Sequence, residues 1–376
     1  MTKRGCVWDD LAGQRRASEL LSAEVRAGTV SHAYLFVGPP GAGKKTAAKA
    51  LACSLFCGDG GCGACPACRR VRAGFHPDFR VIRPEGAATY VIEQVREVIH
   101  DVALKPVQAS WKVYVFEAAD AFNEGSANAF LKTLEEPPAD VVIVLLAHDH
   151  RAVSPTIVSR CQVVRFERLP PSVAERMVAE KAGVELDRAR EALAAAGGVA
   201  PRAIELLRSP AKREARERLL AVLKELPVMD AHDVLCSARE LLTAVKAPLD
   251  ELKAFQAEEL AERREFVGRG GTKPLEERHK RELTAKEREG VLELLNVTES
   301  WLRDCLAISA GAGELAVNRD VRDAADEVAA ALAPGTAVRA ISEVAEARRR
   351  LAYNVNPQLA VEAMLFGVRE VLACPR

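Results

Sequence analysis

Four cysteines, Cys57, Cys62, Cys65 and Cys68, fall within twelve residues. Short Cys-x-x-Cys turns aim pairs of sulfurs at one point, and four thiolates can close a tetrahedron around zinc with bonds of about 2.3 Å. Gly58, Asp59, Gly60, Gly61, Gly63 and Pro66 between them are turn formers. The Cys57-x4-Cys62-x2-Cys65 spacing also suits a ferredoxin-like iron–sulfur cluster. With four sulfur ligands the site is closed, which makes it structural rather than catalytic. Cys53 is a competing ligand four residues upstream, whereas Cys6, Cys161, Cys236, Cys305 and Cys374 stand apart and read as free thiols.

A second constellation could cradle phosphates. Gly38-Pro-Pro-Gly41-Ala-Gly43-Lys44 follows the apolar run Tyr34–Val37 and opens a helical stretch through Leu55. Glycines let backbone N–H groups turn toward phosphate oxygens, the helix dipole adds to the attraction, and the lysine reaches the terminal phosphates. Hydrolysis asks for more. A Ser or Thr hydroxyl after the lysine should ligate magnesium, but the position holds Lys45, with Thr46 one place late. A helix advances about 100° per residue, so Thr46 points elsewhere.

An ATPase also needs an apolar strand ending in two acids, one for the metal and one to polarise water. The strand-like run Val113–Phe116 ends instead in Glu117-Ala118. Glu117 retains a carboxylate on a longer stem, Ala118 accepts no proton, and Asp120 is expected at the head of the following helix. Two separate requirements are broken, so ATP binding should be weak or absent and hydrolysis lost. His148-Asp149-His150, after the next strand, reads as a surface loop rather than a metal or acid–base site.

The elements that must position these groups follow from apolar patterning. Tyr34–Val37, Phe79–Ile82, Lys112–Phe116, Val141–Ala147 and Gln162–Phe166 are short, nearly continuous apolar runs, as expected of parallel strands covered on both faces. Between them, Val91, Val95, Val98 and Val102 recur at helical spacing, as do Ala127, Phe130, Leu131 and Leu134. Ser154-Pro155 reads as a helix start. From about Glu167 onward the pattern is helical, with small helices broken at Gly197-Gly198 and Pro201. The last helix is capped by Asn356, opens on Pro357 and carries a stripe of Val361, Met364, Leu365, Val368, Val371 and Leu372. Gly268–Gly271 and the charged stretch Glu276–Glu289 read as an exposed loop or hairpin tip; the interleaved acids and bases suit a solvated face better than a basic binding patch.

At 376 residues the chain is long enough for two or three domains. Lys and Arg total 53, as do Asp and Glu, so bulk attraction to nucleic acid is not encoded in the totals. The polar opening Met1–Asp10 lacks a signal-peptide core, and Val141–Ala147, the longest apolar run, is far too short to span a membrane. Crowded cysteines without a secretion signal point to metal rather than disulfides. A cytoplasmic location is expected.

The stretch Leu131-Lys-Thr-Leu-Glu-Glu-Pro-Pro138, the triplet Ser159-Arg160-Cys161 and the cysteine cluster resemble the AAA+ subunits of bacterial clamp loaders. The likeness runs from about Val7 to Phe166, continues loosely beyond, and returns at Asn354-Val-Asn-Pro-Gln-Leu-Ala360. Within that family the chain is similar to the delta-prime branch, whose phosphate loop and acidic strand are eroded. The motor branches, tau and gamma, keep Lys-Thr and Asp-Glu; an active ATP-hydrolysing motor is the alternative reading.

The resemblance implies an α/β P-loop AAA+-type domain over residues 1–166, with a zinc module at 57–68. It further implies a small helical lid over 167–210 and a helical collar over 211–376 that joins five subunits. It implies zinc rather than iron–sulfur at Cys57, Cys62, Cys65 and Cys68, although the first spacing is shorter than is usual there. Arg160 matches the family's arginine finger, acting in trans, and Arg202 resembles a lid arginine that senses phosphate. Gly38, Gly41, Gly43, Lys44, Lys45, Thr46 and Glu117 form the remnant nucleotide site. The His148-Asp149-His150 loop departs from the small polar sensor usual at that place. The implied role is a stator within the DNA polymerase III holoenzyme. Its partners would be the tau and gamma motor subunits and delta, with the sliding clamp and primer–template DNA met through the assembly and no membrane involved.

Overall fold

The computed structural model describes residues 6–84, 89–267, 273–332, 335–353 and 355–373. Gly268–Gly271, Asn354 and Cys374 lie outside the described residues. The chain divides into two compact units, one ending at Val173 and the other beginning at Ala174.

The first unit is built on five parallel strands: β1 (Ala33–Val37), β2 (Phe79–Ile82), β3 (Lys112–Phe116), β4 (Val141–Ala147) and β5 (Gln162–Arg165), in the spatial order β2-β3-β4-β1-β5. All seven residues of β4 are buried, as expected for a strand paired on both sides and covered on both faces. Strand side chains alternate between faces, which divides the core in two. Tyr34, Phe36, Val113, Val115, Val142 and Val144 point to one face, and Leu35, Tyr114, Phe116, Ile143 and Leu145 to the other.

The first face is covered by α1 (Arg15–Ala27), α2 (Lys44–Phe56) and α3 (Pro66–Ala73), through Leu21, Leu51, Cys53 and Val71. The second is covered by α4 (Ile92–Val102) and α5 (Glu124–Glu135), through Val95, Val98, Phe130 and Leu134. Asn123 heads α5, its side chain accepting from the Ser126 N–H. Asp120 lies instead in the 3₁₀ turn Ala119–Ala121. A single-turn helix, α6 (Pro155–Val158), precedes β5. The chain crosses one face between β1 and β2 and the other from β2 to β4. Such a reversal leaves an open crevice at the carboxyl ends of the strands.

Among the described residues no strand follows β5. The rest consists of α7 (Pro171–Ala182), α8 (Leu186–Ala195), α9 (Ala200–Arg208), α10 (Pro210–Glu225), α11 (Ala231–Lys246), α12 (Leu249–Val267), α13 (Lys273–Ser309), α14 (Arg322–Ala331), α15 (Thr336–Ala352) and α16 (Pro357–Leu372). The sheet with its phosphate loop, followed by an all-helical remainder, is the AAA+-type architecture expected. One segment differs. Glu276–Glu289 is part of the 37-residue α13 rather than a loop. Two of its contacts with α12 are polar: His279 Nε2 lies 2.9 Å from Glu259, and Gln256 donates to Glu282 at 2.9 Å.

The second unit's core joins α10, α11 and α13–α16, with Trp301 wholly buried. Asn356 caps α16 by accepting from the Gln358 N–H at 2.8 Å. Val361, Met364, Leu365, Val368 and Leu372 are buried along it, while Val371 is only partly covered. No single helix among the described residues is long and apolar enough to cross a membrane. Leu365 is fully buried in α16, so Leu365→Ala should destabilise the helical unit by about 2–5 kcal/mol, read as a lowered urea midpoint; an unchanged midpoint would contradict this packing.

Candidate functional site

The phosphate loop leaves β1 and enters α2, with Gly41 and Gly43 in left-handed conformations, φ 77° and 90°. Gly38 packs against the backbone of Phe166, where a Cβ would collide with its carbonyl. These are positions where glycine is required by geometry. Lys44, at the first position of α2, is buried and turns back on its own loop. Its ammonium donates to the carbonyls of Gly38 and, at 3.0 Å, Pro39. Burial, partly offset by the nearby charge of Asp120, brings Lys44 down to about 8.

Lys45 reaches the end of β3. Its ammonium lies 2.5 Å from Glu117 Oε1, and Arg83 Nε donates to Glu117 Oε2 at 3.1 Å. Glu117 at the end of β3 is thus shared by a lysine from α2 and an arginine that follows β2. The carboxylate that would hold magnesium in an ATPase already carries two protein cations. Thr46 is half-buried, one residue further round α2.

Ala118 is the sole described non-glycine residue with positive φ, at 58°. A left-handed conformation costs an L-residue roughly 1–2 kcal/mol. The turn is held by the Ala121 N–H on the Ala118 carbonyl at 2.8 Å and by the buried Tyr90 hydroxyl, which donates to the carbonyls of Glu117 and Ile82. Burial pushes the Tyr90 phenol well above its usual range. After β4, His148 and Asp149 are exposed, and Asp149 accepts from the Arg151 N–H at 3.0 Å.

Arg160 follows the turn that ends α6. Its Nε donates to Glu135 Oε1 at 2.6 Å, Nη2 forms an ion pair with the same carboxylate, and Nη1 donates to the Thr156 carbonyl at 2.8 Å. The side chain remains 31% exposed. Arg202 lies in the second unit, half-buried in the first turn of α9.

The cysteine cluster sits where α2 hands over to α3. Cys57 is the C-terminal cap of α2, Cys65 the N-terminal cap of α3 with Pro66 at its first position, and Cys68 is buried in its first turn. The sulfurs of Cys57, Cys62, Cys65 and Cys68 lie within 4.8 Å of one another, with Cys57–Cys62 at 3.6 Å and Cys57–Cys65 at 3.7 Å. A tetrahedron with arms of about 2.3 Å has edges of about 3.8 Å, so the sulfurs form a possible metal site.

Backbone N–H groups of Cys65 and Cys68 point at the sulfurs of Cys62 and Cys65, at 3.3 and 3.4 Å. Burial pushes the Cys57 thiol up, but N–H groups of Cys62, Gly61 and Asp59 outweigh it and bring the thiol to about 6. Burial and the Cys65 sulfur hold Cys68 high. A central dication would let all four ionise together. Cys53 stands outside the group. Its thiol faces the Cys68 carbonyl at 3.7 Å and is pushed up to about 11 by burial. Gly61 packs so closely on Val7 and Ser54 that a Cβ would clash, and the Val7 N–H donates to its carbonyl at 3.0 Å.

Arg83, Tyr90 and Glu135 were not singled out by sequence patterning. Arg83 directly follows an apolar run, so the signal existed, but its meaning depends on β2 lying beside β3.

The Lys44 shift carries a pH signature. Its folded value near 8 lies below the ordinary 10.5, so the unfolded chain binds more protons in between. The penalty to the folded state is complete below pH 8 and lifts as the pH rises toward 10.5. Relative to Lys44→Met, the unmodified protein should therefore gain stability across that range. A pH-independent difference in urea midpoint between the two would contradict the burial account.

Two family models match the chain: DNA polymerase III, delta subunit, over residues 13–170, and the C-terminal part of the DNA polymerase III delta subunit over residues 281–370. DNA polymerase III subunit delta' of Pseudomonas aeruginosa is 37% identical over 202 residues, 52% of this chain and 61% of that protein. The Bacillus subtilis delta' subunit is 33% identical over 222 residues, 58% of this chain and 67% of its own length. The gamma/tau subunit of Mycobacterium bovis is 31% identical over 260 residues, 64% of this chain and 45% of that protein. Matching sequence and the phosphate-loop domain agree: the chain belongs to the DNA polymerase III delta-prime family.

Proposed function

We propose that this chain is a non-hydrolysing stator subunit of a bacterial clamp loader, which lends Arg160 to the ATP site of a neighbouring motor subunit. The observation that carries this reading is the pairing of Lys45 with Glu117 at 2.5 Å. A site running hydrolysis needs a hydroxyl and a carboxylate on magnesium and a second acid on water. Here an ammonium stands at the hydroxyl's position, the remaining acid is neutralised by Lys45 and Arg83, and Ala118 replaces the second acid. Lys44 is engaged by its own loop, which supports weak or absent nucleotide binding.

In phosphoryl transfer, negative charge grows on the oxygens of the transferred group, and a guanidinium supplied by another chain can stabilise it. Arg160 suits that role. It is presented at the surface of the first unit on a short turn held to Glu135 of α5 and leading into β5, and its terminal nitrogens keep N–H groups to offer. Arg202 is proposed as the lid residue that senses phosphate. We assign residues 167–210 to the lid and 211–376 to a collar, whose packed helices would join the chain to tau or gamma subunits and to delta. The sliding clamp and primer–template DNA would be met through that assembly, in the cytoplasm.

Cys57, Cys62, Cys65 and Cys68 would hold zinc. The ion would supply a four-way crosslink between the end of α2 and the start of α3, replacing core packing in a glycine-rich loop. With all four positions filled by sulfur, it would perform no chemistry on substrate.

Two outcomes are expected. Arg160→Ala should leave the assembly intact, by size-exclusion chromatography, while lowering ATP turnover at the adjoining motor site by a factor on the order of 10³; unchanged turnover would remove the trans mechanism. The purified chain should contain one zinc per molecule by mass spectrometry, and Cys62→Ser should lose most of it together with part of the helical signal. Metal content that survives Cys62→Ser would refute the four-sulfur site.

A further inference from the structure

We infer that Glu135 is a positioning residue for Arg160, holding its guanidinium in the orientation needed at the neighbouring chain's phosphate; the inference rests on the arginine reading above. Three observations converge. The first is geometric: Glu135 takes the Nε edge of the guanidinium through Nε, at 2.6 Å, and Nη2, while the Thr156 carbonyl takes Nη1 at 2.8 Å. Both donors converge on the one oxygen Oε1, and with the Thr156 carbonyl on another edge they hold the planar guanidinium from two sides. Of five N–H donors, one on Nη2 is left for an incoming oxygen, and the Ser159 hydroxyl, at 3.4 Å, holds a second only loosely.

The second observation is that Glu135 breaks a local rule. It is the last residue of α5 and is followed by Glu136. The carboxyl end of a helix carries partial negative charge, so acids there are disfavoured and cations favoured. Two consecutive acids at this end make poor sense for α5 alone. They make sense if a cation from elsewhere in the chain is to be held there, and Arg160, 25 residues on, is that cation.

The third is exposure. The side chains of Arg160 and Glu135 are 31% and 46% exposed. An ion pair in that setting adds little to folding, so stability does not explain it. Pre-ordering a long, exposed side chain does. Arginine otherwise loses several rotamers on reaching a phosphate, and a chain that has already lost them reacts faster once docked.

The test uses the complete reconstituted assembly with four versions of this chain: unmodified, Glu135→Gln, Arg160→Ala and the double variant. Glu135→Gln keeps size and hydrogen bonding but removes the charge. It should leave the urea midpoint and subunit composition unchanged, lower kcat for ATP by roughly three- to tenfold with KM unaltered, and lower nothing further when added to Arg160→Ala. If Arg160→Ala lowers turnover but Glu135→Gln alone leaves it unchanged or raises it, the positioning role is wrong and the trans arginine stands. Equal losses from Glu135→Gln in both backgrounds would also overturn it, because Glu135 would then act independently of Arg160. If Arg160→Ala has no effect, the arginine reading itself fails and the inference goes with it.

Discussion

The carboxylate of Glu117 organises this molecule's remnant active site. It stands at the end of β3, where an ATPase would anchor its metal, and is bound from two sides by Lys45 of α2 and Arg83 beyond β2. A divalent ion in that place would have to displace two tethered cations and overcome their repulsion. An ammonium where an ATPase carries a hydroxyl therefore does more than lack a ligand. It places a competing charge on the carboxylate. The same pairing ties the phosphate-loop helix to the neighbouring strand turns, so the site keeps a defined shape without ligand.

The scaffold around that site is intact because its energetics do not depend on it. The two sheet faces are filled by alternating residues of β1, β3 and β4, and the loop glycines still meet close neighbours such as the Phe166 backbone. On the proposed reading, loss of hydrolysis needs changes only at Lys45 near the start of α2 and at Glu117-Ala118 beyond β3, outside the sheet core. Arg160 lies on a different turn, after α6 and before β5, so the trans role proposed for it does not depend on the chain's own phosphate loop. The cysteine loop illustrates the complementary case. Glycines at 60, 61 and 63 bring no side chain to a core, and the sulfurs converging at 3.6–3.7 Å are what can hold such a loop to one shape.

Much of this was legible in the sequence because the signals are local. Val141–Ala147 reads as a buried strand with the bounds it takes in the fold, since a strand paired and covered on every side must be apolar throughout. The phosphate loop and the four cysteines declare themselves through spacing. What escaped depends on contacts between distant segments. Glu276–Glu289 reads as a loop because its faces mix acids and bases, yet it is helical and meets α12 through pairs such as His279–Glu259, which leave no apolar stripe to detect. Arg83 gains meaning only once β2 is known to lie beside β3. Glu135 looked like part of a family stretch until α6 brought Arg160 onto it.

On the function proposed above, the working cation of this chain serves another chain's phosphate while its own phosphate loop runs no chemistry. Electron cryomicroscopy of the assembly, trapped with magnesium and a nucleotide transition-state analogue, tests it most directly. Arg160 should lie within hydrogen-bond reach of the analogue in the adjoining subunit, with no magnesium ligated by Lys45, Thr46 or Glu117. Magnesium and nucleotide properly coordinated in this chain's own loop, with Arg160 turned away from every neighbour, would contradict it.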